Sequence, residues 1–101
     1  MKTSLERIHW PAGVTQIPDN QFADYKALTE VVIPEGITAI GERAFSRCTG
    51  LTELVLPQSL TNIRTRAFFE CTGLRTVTVP AGTKTADDAF AGCKDLSIVN
   101  R

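Results

Sequence analysis

Four prolines, Pro11, Pro34, Pro57 and Pro80, stand 23 residues apart, and that interval organises the rest of the chain. Leu5, Leu28, Leu51 and Leu74 keep the same spacing, and Leu96 follows 22 residues after the last of them. Ile8, Val31, Leu54, Val77 and Val99 hold step three residues behind each leucine. Trp10, Ile33, Leu56 and Val79 precede the prolines. Phe22, Phe45, Phe68 and Phe90 recur, and Cys48, Cys71 and Cys93 lie three residues beyond their phenylalanines. A fixed period of this length is the signature of a stacked-repeat architecture and takes precedence over local propensities. The units run over about 5–27, 28–50, 51–73 and 74–95, with a partial unit at 96–101, in one domain covering 1–101.

Within a unit, Val31 and Ile33 alternate with Val32, the period-2 pattern of a half-buried strand. The proline that follows has no N–H for a ladder and ends the strand. A second apolar pair (Val14 and Ile17, Ile37 and Ile40, Leu60 and Ile63) predicts another extended segment on the opposite wall. The stretch Glu42 to Cys48 suits a short helical or 3-10 turn, with Phe45 and Cys48 three apart on one face. Gly50 and Gly73 offer a place for the chain to reverse. A unit of 23 residues cannot bury its apolar side alone; stacked units bury a shared core. The expected class is an α/β repeat: a short solenoid with a parallel β-sheet and short helical or 3-10 turns opposite. At a strand spacing of ~4.8 Å, four turns make a coil roughly 20 Å long. A doubly wound fold is excluded, because so short a unit leaves no room for a crossover with a full helix.

Composition closes off several functions. Eleven Lys plus Arg balance eleven Asp plus Glu, and each half of the chain is itself nearly balanced. Nucleic-acid binding and polybasic membrane attachment both need excess cation, so no nucleic-acid partner is expected. No apolar stretch approaches the ~20 residues that cross a bilayer, so membrane insertion is not expected either. Met1 to Arg7 lacks the apolar core of a secretory signal.

These residues resemble the BspA-type leucine-rich repeat, closest over Leu28 to Cys48, where Leu28, Val31, Ile33, Pro34, Ile37, Thr38, Ile40, Gly41, Ala44, Phe45 and Cys48 all fit the unit. The resemblance spans Leu5 to Arg101. The commoner leucine-rich pattern fails, because Gly36, Ser59 and Gly82 stand where its asparagine ladder would be. The resemblance implies a right-handed solenoid, its parallel sheet on the concave face, in surface or secreted proteins that bind other proteins or adhere to cells. It supplies no catalytic residues. The first unit departs at Pro18, Gln21 and Tyr25; the last departs at Thr83, Lys84 and Ala86 and is one residue short before Phe90. Weakened outer units suit capping turns, so the chain reads as a complete small solenoid. Uneven substitutions between units look like natural drift more than consensus engineering.

Residues of chemically capable types resolve into packing or surface. The cysteines share one repeat position and form a buried ladder of thiols, since free cysteine packs as a small hydrophobe. Their spacing is not that of a zinc site, and their odd count leaves one thiol over in any pairing. No metal or cofactor is expected. His9 is the single histidine, in a column with Val32, Val55, Thr78 and Asn100, none of them a useful base or nucleophile. The paired carboxylates Glu30 and Glu53 read as a solvated face. No nucleotide, zinc-protease or calcium-loop motif occurs, so the chain is not expected to be an enzyme. Asp24, Arg47 and Glu70 form an alternating charge column that fixes stacking register. Arg43 and Arg66 make a basic spot, and Phe69 occupies a position held by small residues in the other units.

The outward columns of the concave face are the candidate binding surface: Arg7, Glu30, Glu53, Thr76 and Ile98 in one, His9, Val32, Val55, Thr78 and Asn100 in the next. Rigid presentation lowers the ordering cost of binding, and mixed acidic and β-branched side chains suit a protein or peptide partner. The alternative is a structural scaffold, or a self-assembling unit forming weak homo-oligomers through its ends, since open sheet edges invite pairing.

Overall fold

The computed structural model describes residues 13–100. In chain order the strands are β1 (Gln16–Ile17), β2 (Glu30–Val32), β3 (Ala39–Ile40), β4 (Glu53–Val55), β5 (Asn62–Ile63), β6 (Thr76–Val79), β7 (Lys84–Thr85) and β8 (Ser97–Asn100). They alternate between two four-stranded parallel sheets, β2-β4-β6-β8 and β1-β3-β5-β7. This is a solenoid of about four turns, each turn giving one strand to each wall. The repeat dictates the register: Glu30 lies beside Glu53, Val31 beside Leu54, and Ile40 beside Ile63.

The core lies between the walls. Leu28, Leu51 and Leu74 are fully buried in one column, and Val31 and Val77 in the next. Ile40 and Ile63 close it from the shorter sheet. Val32 and Val55 point the other way and remain about half exposed, which is the alternation read from the sequence. Ile33 is the last residue before the proline and still donates to Val55 O (2.9 Å). The carbonyl of Pro34 then accepts from Ile37 N, closing a turn whose third residue, Gly36, sits at φ 103°. Only glycine adopts that conformation readily.

The expected helical turns are absent: no helix forms among the described residues. The reason lies in how the amides of 43–48 are shared. Ala44, Ser46 and Cys48 each donate three residues back, to Gly41, Arg43 and Phe45. Arg43, Phe45 and Arg47 instead donate to Thr65, Ala67 and Phe69 of the next turn (3.1, 2.7 and 2.6 Å). A helix would need every one of these amides along its own axis. Left-handed backbone at Arg43 (φ 59°) and Arg47 (φ 63°) turns alternate groups outward, and Asn20, Asp24, Arg66 and Glu70 repeat that conformation. Stacking therefore takes half the hydrogen bonds a helical turn would have used.

Two further details differ from the sequence expectation. Gly50 and Gly73 are needed for close approach more than for reversal: a Cβ on Gly50 would meet Lys26 O, and one on Gly73 would lie 2.9 Å from both Leu51 O and Thr49 O. β8 pairs one residue out of the expected phase, with Ile98 beside Val77 and Asn100 beside Val79, so neither continues the columns of Thr76 and Thr78. β8 follows the shortened fourth turn and has a single neighbouring strand among the described residues, so only one ladder sets its register.

Candidate binding surface

The outward face of the longer-stranded sheet brings six of the ten residues singled out for binding into two columns. Glu30, Glu53 and Thr76 follow one another on successive strands, and Val32, Val55 and Thr78 form the adjoining column. Glu53, Thr76 and Thr78 are exposed, and Glu30 is half-buried. Val32 and Val55 are 46% and 52% exposed, two of the three large apolar side chains on the surface of the described residues. The third, Ile98, is 47% exposed on the same sheet although it has left the predicted column. Arg7 and His9 lie outside the described residues. Beside Glu53 and Val55 is a shallow hollow of about 560 Å³ that also reaches Thr52, Arg75 and Thr76. Arg75 is the functional candidate the repeat reading missed. Its signal is a cation at a position held by Thr29 and Thr52 in the preceding units.

The turn side is a packed wall. Phe22, Phe45, Phe68 and Phe90 stack in one column with ring centroids 5.2 Å apart at each step. Tyr25, standing where later units carry cysteine, meets Phe22 edge-on at 5.6 Å. All three cysteines are thiols and not disulfides; Cys48 and Cys71 are buried and Cys93 is half-buried. Each Sγ donates to the carbonyl of a phenylalanine one turn back: Cys48 to Phe22, Cys71 to Phe45 and Cys93 to Phe68 (3.2, 3.0 and 3.1 Å). Hydrogen bonding with Cys48, then with Cys93, and burial push the Cys71 thiol far above the ordinary thiol range. Cys71 is therefore held protonated, the reverse of what a nucleophilic or metal-binding cysteine requires. No group of metal-ligating side chains occurs among the described residues.

Around that wall the charges are paired. Arg47 lies 3.6 Å from Glu70, within the predicted charge column. The basic spot is compensated too: Arg43 lies 3.7 Å from Glu42 and Arg66 3.6 Å from Asp88. The Arg66 guanidinium also covers the Phe69 ring, 5.4 Å from its centroid, so Phe69 folds under a cation at the surface.

The outer side of the shorter-stranded sheet carries an open groove of about 680 Å³ that the repeat pattern does not announce. Gly41 is among its lining residues and lets the first and second turns approach, since a Cβ there would lie 2.5 Å from Ile17 O. Asp19 and Glu42 border one end, Arg64 and Lys84 the other.

The family model described as a BspA type leucine rich repeat region matches residues 1–100. The solved structure of a leucine-rich cell surface protein from Faecalibacterium prausnitzii is similar at a TM-score of 0.86 and 30% identity, covering 94% of this chain and 26% of that one. A leucine-rich repeat protein from Bacteroides capillosus is similar at a TM-score of 0.78 and 28% identity, covering 87% of this chain and 64% of that one. The Treponema pallidum leucine-rich repeat protein, at 24% identity and a TM-score of 0.72, shares the fold over 92% of this chain and 57% of its own. The chain thus spans less than two thirds of each of these structures. No curated protein matches it.

Proposed function

The chain belongs to the BspA-type leucine-rich repeat family, and on that premise we propose that it is a protein-binding module of a surface or secreted protein, working through the outward face of its longer-stranded sheet. Leucine-rich repeat solenoids are generally non-enzymatic interaction scaffolds. The observation that carries the reading is the pair of half-exposed valines, Val32 and Val55, held in register beside the carboxylates of Glu30 and Glu53. An apolar column flanked by charge on a rigid sheet provides contact area and orientation at little ordering cost. Thr76, Thr78 and Arg75 extend the same face, and Arg7 and His9 would continue it in the first unit. The partner is a protein or peptide, and the surface location follows the Faecalibacterium relative, a leucine-rich cell surface protein.

Capture of a partner by the wild-type chain is expected to disappear in the triple variant Glu30→Lys, Val32→Glu, Glu53→Lys. It should survive Lys26→Glu, which alters the exposed turn side. Equal capture by the triple variant would remove the proposal.

The exposed Ile98 on the outermost strand β8 favours a second reading, in which copies associate end to end as a scaffold. Size exclusion with light scattering separates the two. Self-association that Ile98→Lys abolishes supports the scaffold, and a strict monomer at high concentration disposes of it.

A further inference from the structure

We propose that the groove over the shorter-stranded sheet is a second docking site, independent of the valine face, for an extended segment of a partner protein carrying a cation and a carboxylate about 10 Å apart. Its volume of about 680 Å³ lies within the range of formed ligand sites. Its chemistry is split along the stack. Asp19 and Glu42 belong to the first and second turns, Arg64 and Lys84 to the third and fourth.

Arg64 and Lys84 make no ion pair among the described residues, whereas Arg43, Arg47 and Arg66 each lie within 3.7 Å of a carboxylate. At the acidic end, Asp19 Oδ1 accepts from Glu42 N (2.8 Å), which leaves its second oxygen for a ligand. An anionic ligand filling the groove would meet Asp19 and Glu42, the latter already 3.7 Å from Arg43, and a cationic one would meet Arg64 and Lys84. Only a dipolar ligand answers both ends.

Geometry fixes the separation. The midpoints of the two ends are two strand spacings apart, ~9.6 Å at ~4.8 Å each. A polyproline II segment places residues i and i+3 on one side at ~9.3 Å. A Lys-Pro-Pro-Glu core therefore presents its charges at the matching interval.

Three labelled hexapeptides, N-acetylated and C-amidated with threonine at both ends, test this by fluorescence anisotropy at low salt. Their cores are Lys-Pro-Pro-Glu, Lys-Pro-Pro-Lys and Glu-Pro-Pro-Glu. The mixed peptide is expected to bind at least about tenfold more tightly than either like-charged one, a difference that salt erases. In the variant Arg64→Glu, Lys84→Glu, both positions being exposed, preference should pass to Lys-Pro-Pro-Lys. Should that variant misfold by circular dichroism, Arg64→Gln, Lys84→Gln should lose the preference for the mixed peptide with the fold intact. Glu53→Lys on the other sheet should leave peptide binding unchanged, which separates this site from the valine face. Equal binding of all three peptides, no binding of the mixed peptide at millimolar concentration, or an unaltered preference in the variants would overturn the proposal.

Discussion

The third turn and the fourth turn carry the same motif but bury it to different depths. Phe68, Cys71 and Leu74 are fully buried, while Phe90, Cys93 and Leu96, one repeat later, are half-buried. Ile63 lies in the core, whereas its partner across the short-strand ladder, Thr85, is exposed. Both strands of the third turn, β4 and β5, have a strand on either side; in the fourth, the upper neighbour is reduced to the single strand β8. In a stacked array, the worth of a residue is set by its neighbours as much as by its identity.

Alanine at matched positions is the strongest test of that difference. Phe68→Ala should cost about 3–5 kcal/mol, the range for deleting a buried aromatic ring. Phe90→Ala should cost roughly half as much, because part of its ring already meets water. Urea denaturation of both variants checks this, and equal losses would mean the fourth turn is as well packed as the third.

The thiols extend the comparison to pH. Cys71 stays protonated in the folded chain well above the ordinary thiol range, so the unfolded chain releases a proton that the folded one keeps. Its stabilising contribution is complete below the ordinary thiol pKa near 9.0 and is lost as pH rises above it. From pH 8 to 10 the loss for one thiol is on the order of 1 kcal/mol in all. Melting temperature followed from pH 8 to 10 should fall in the wild type and fall less in Cys71→Ala. Cys93→Ala should not lessen the fall, since hydrogen bonding from Cys71 lowers the Cys93 pKa and its own contribution grows as pH rises. A thiol reagent should modify Cys93 before Cys71.

A third contrast lies within one column. Arg47, Glu70 and Gly92 stand at equivalent places and all have positive φ. Gly92→Ala should destabilise by about 1–2 kcal/mol, the cost of a side chain in left-handed backbone. Arg47→Gly relieves that cost and gives up only an exposed ion pair, so stability should hold or rise by up to about 1 kcal/mol. Thermal melts would show both directions.

The smallest effect concerns the corner after the proline. Glu35 accepts from Gln58 N (2.8 Å) and Ser59 N (3.1 Å), joining the second turn to the third. Glu35→Ala should cost about 0.5–1.5 kcal/mol. A cost near zero would show that water replaces the carboxylate there.

The strands, the proline stops and the inward columns were legible because four copies of one pattern reinforce each other. Val31 and Leu54 occupy equivalent places, and stacking explains both at once. The turn at 43–48 was not. Phe45 and Cys48 are three apart whether the chain is helical or interrupted, and an arginine gives no warning of positive φ. Only the bonds from Arg43, Phe45 and Arg47 to the next turn enforce that geometry, and a single unit does not contain them. The candidate face was legible as columns, but Arg75 was not, since it departs from the repeat. The groove was hidden for the same reason: Arg64 and Lys84 are individual to their turns.

The shared amides of the turn wall also have a mechanical consequence. Hydrogen bonds such as Phe22 to Ala44, Phe45 to Ala67 and Phe68 to Ala89 join one turn to the next and so run along the stack. A pull applied between its two ends loads the turns in series and opens them one at a time. Each opened turn pays out 23 residues, about 80 Å of chain. A molecule built this way yields by lengthening in steps, like a coiled cord whose loops let go singly.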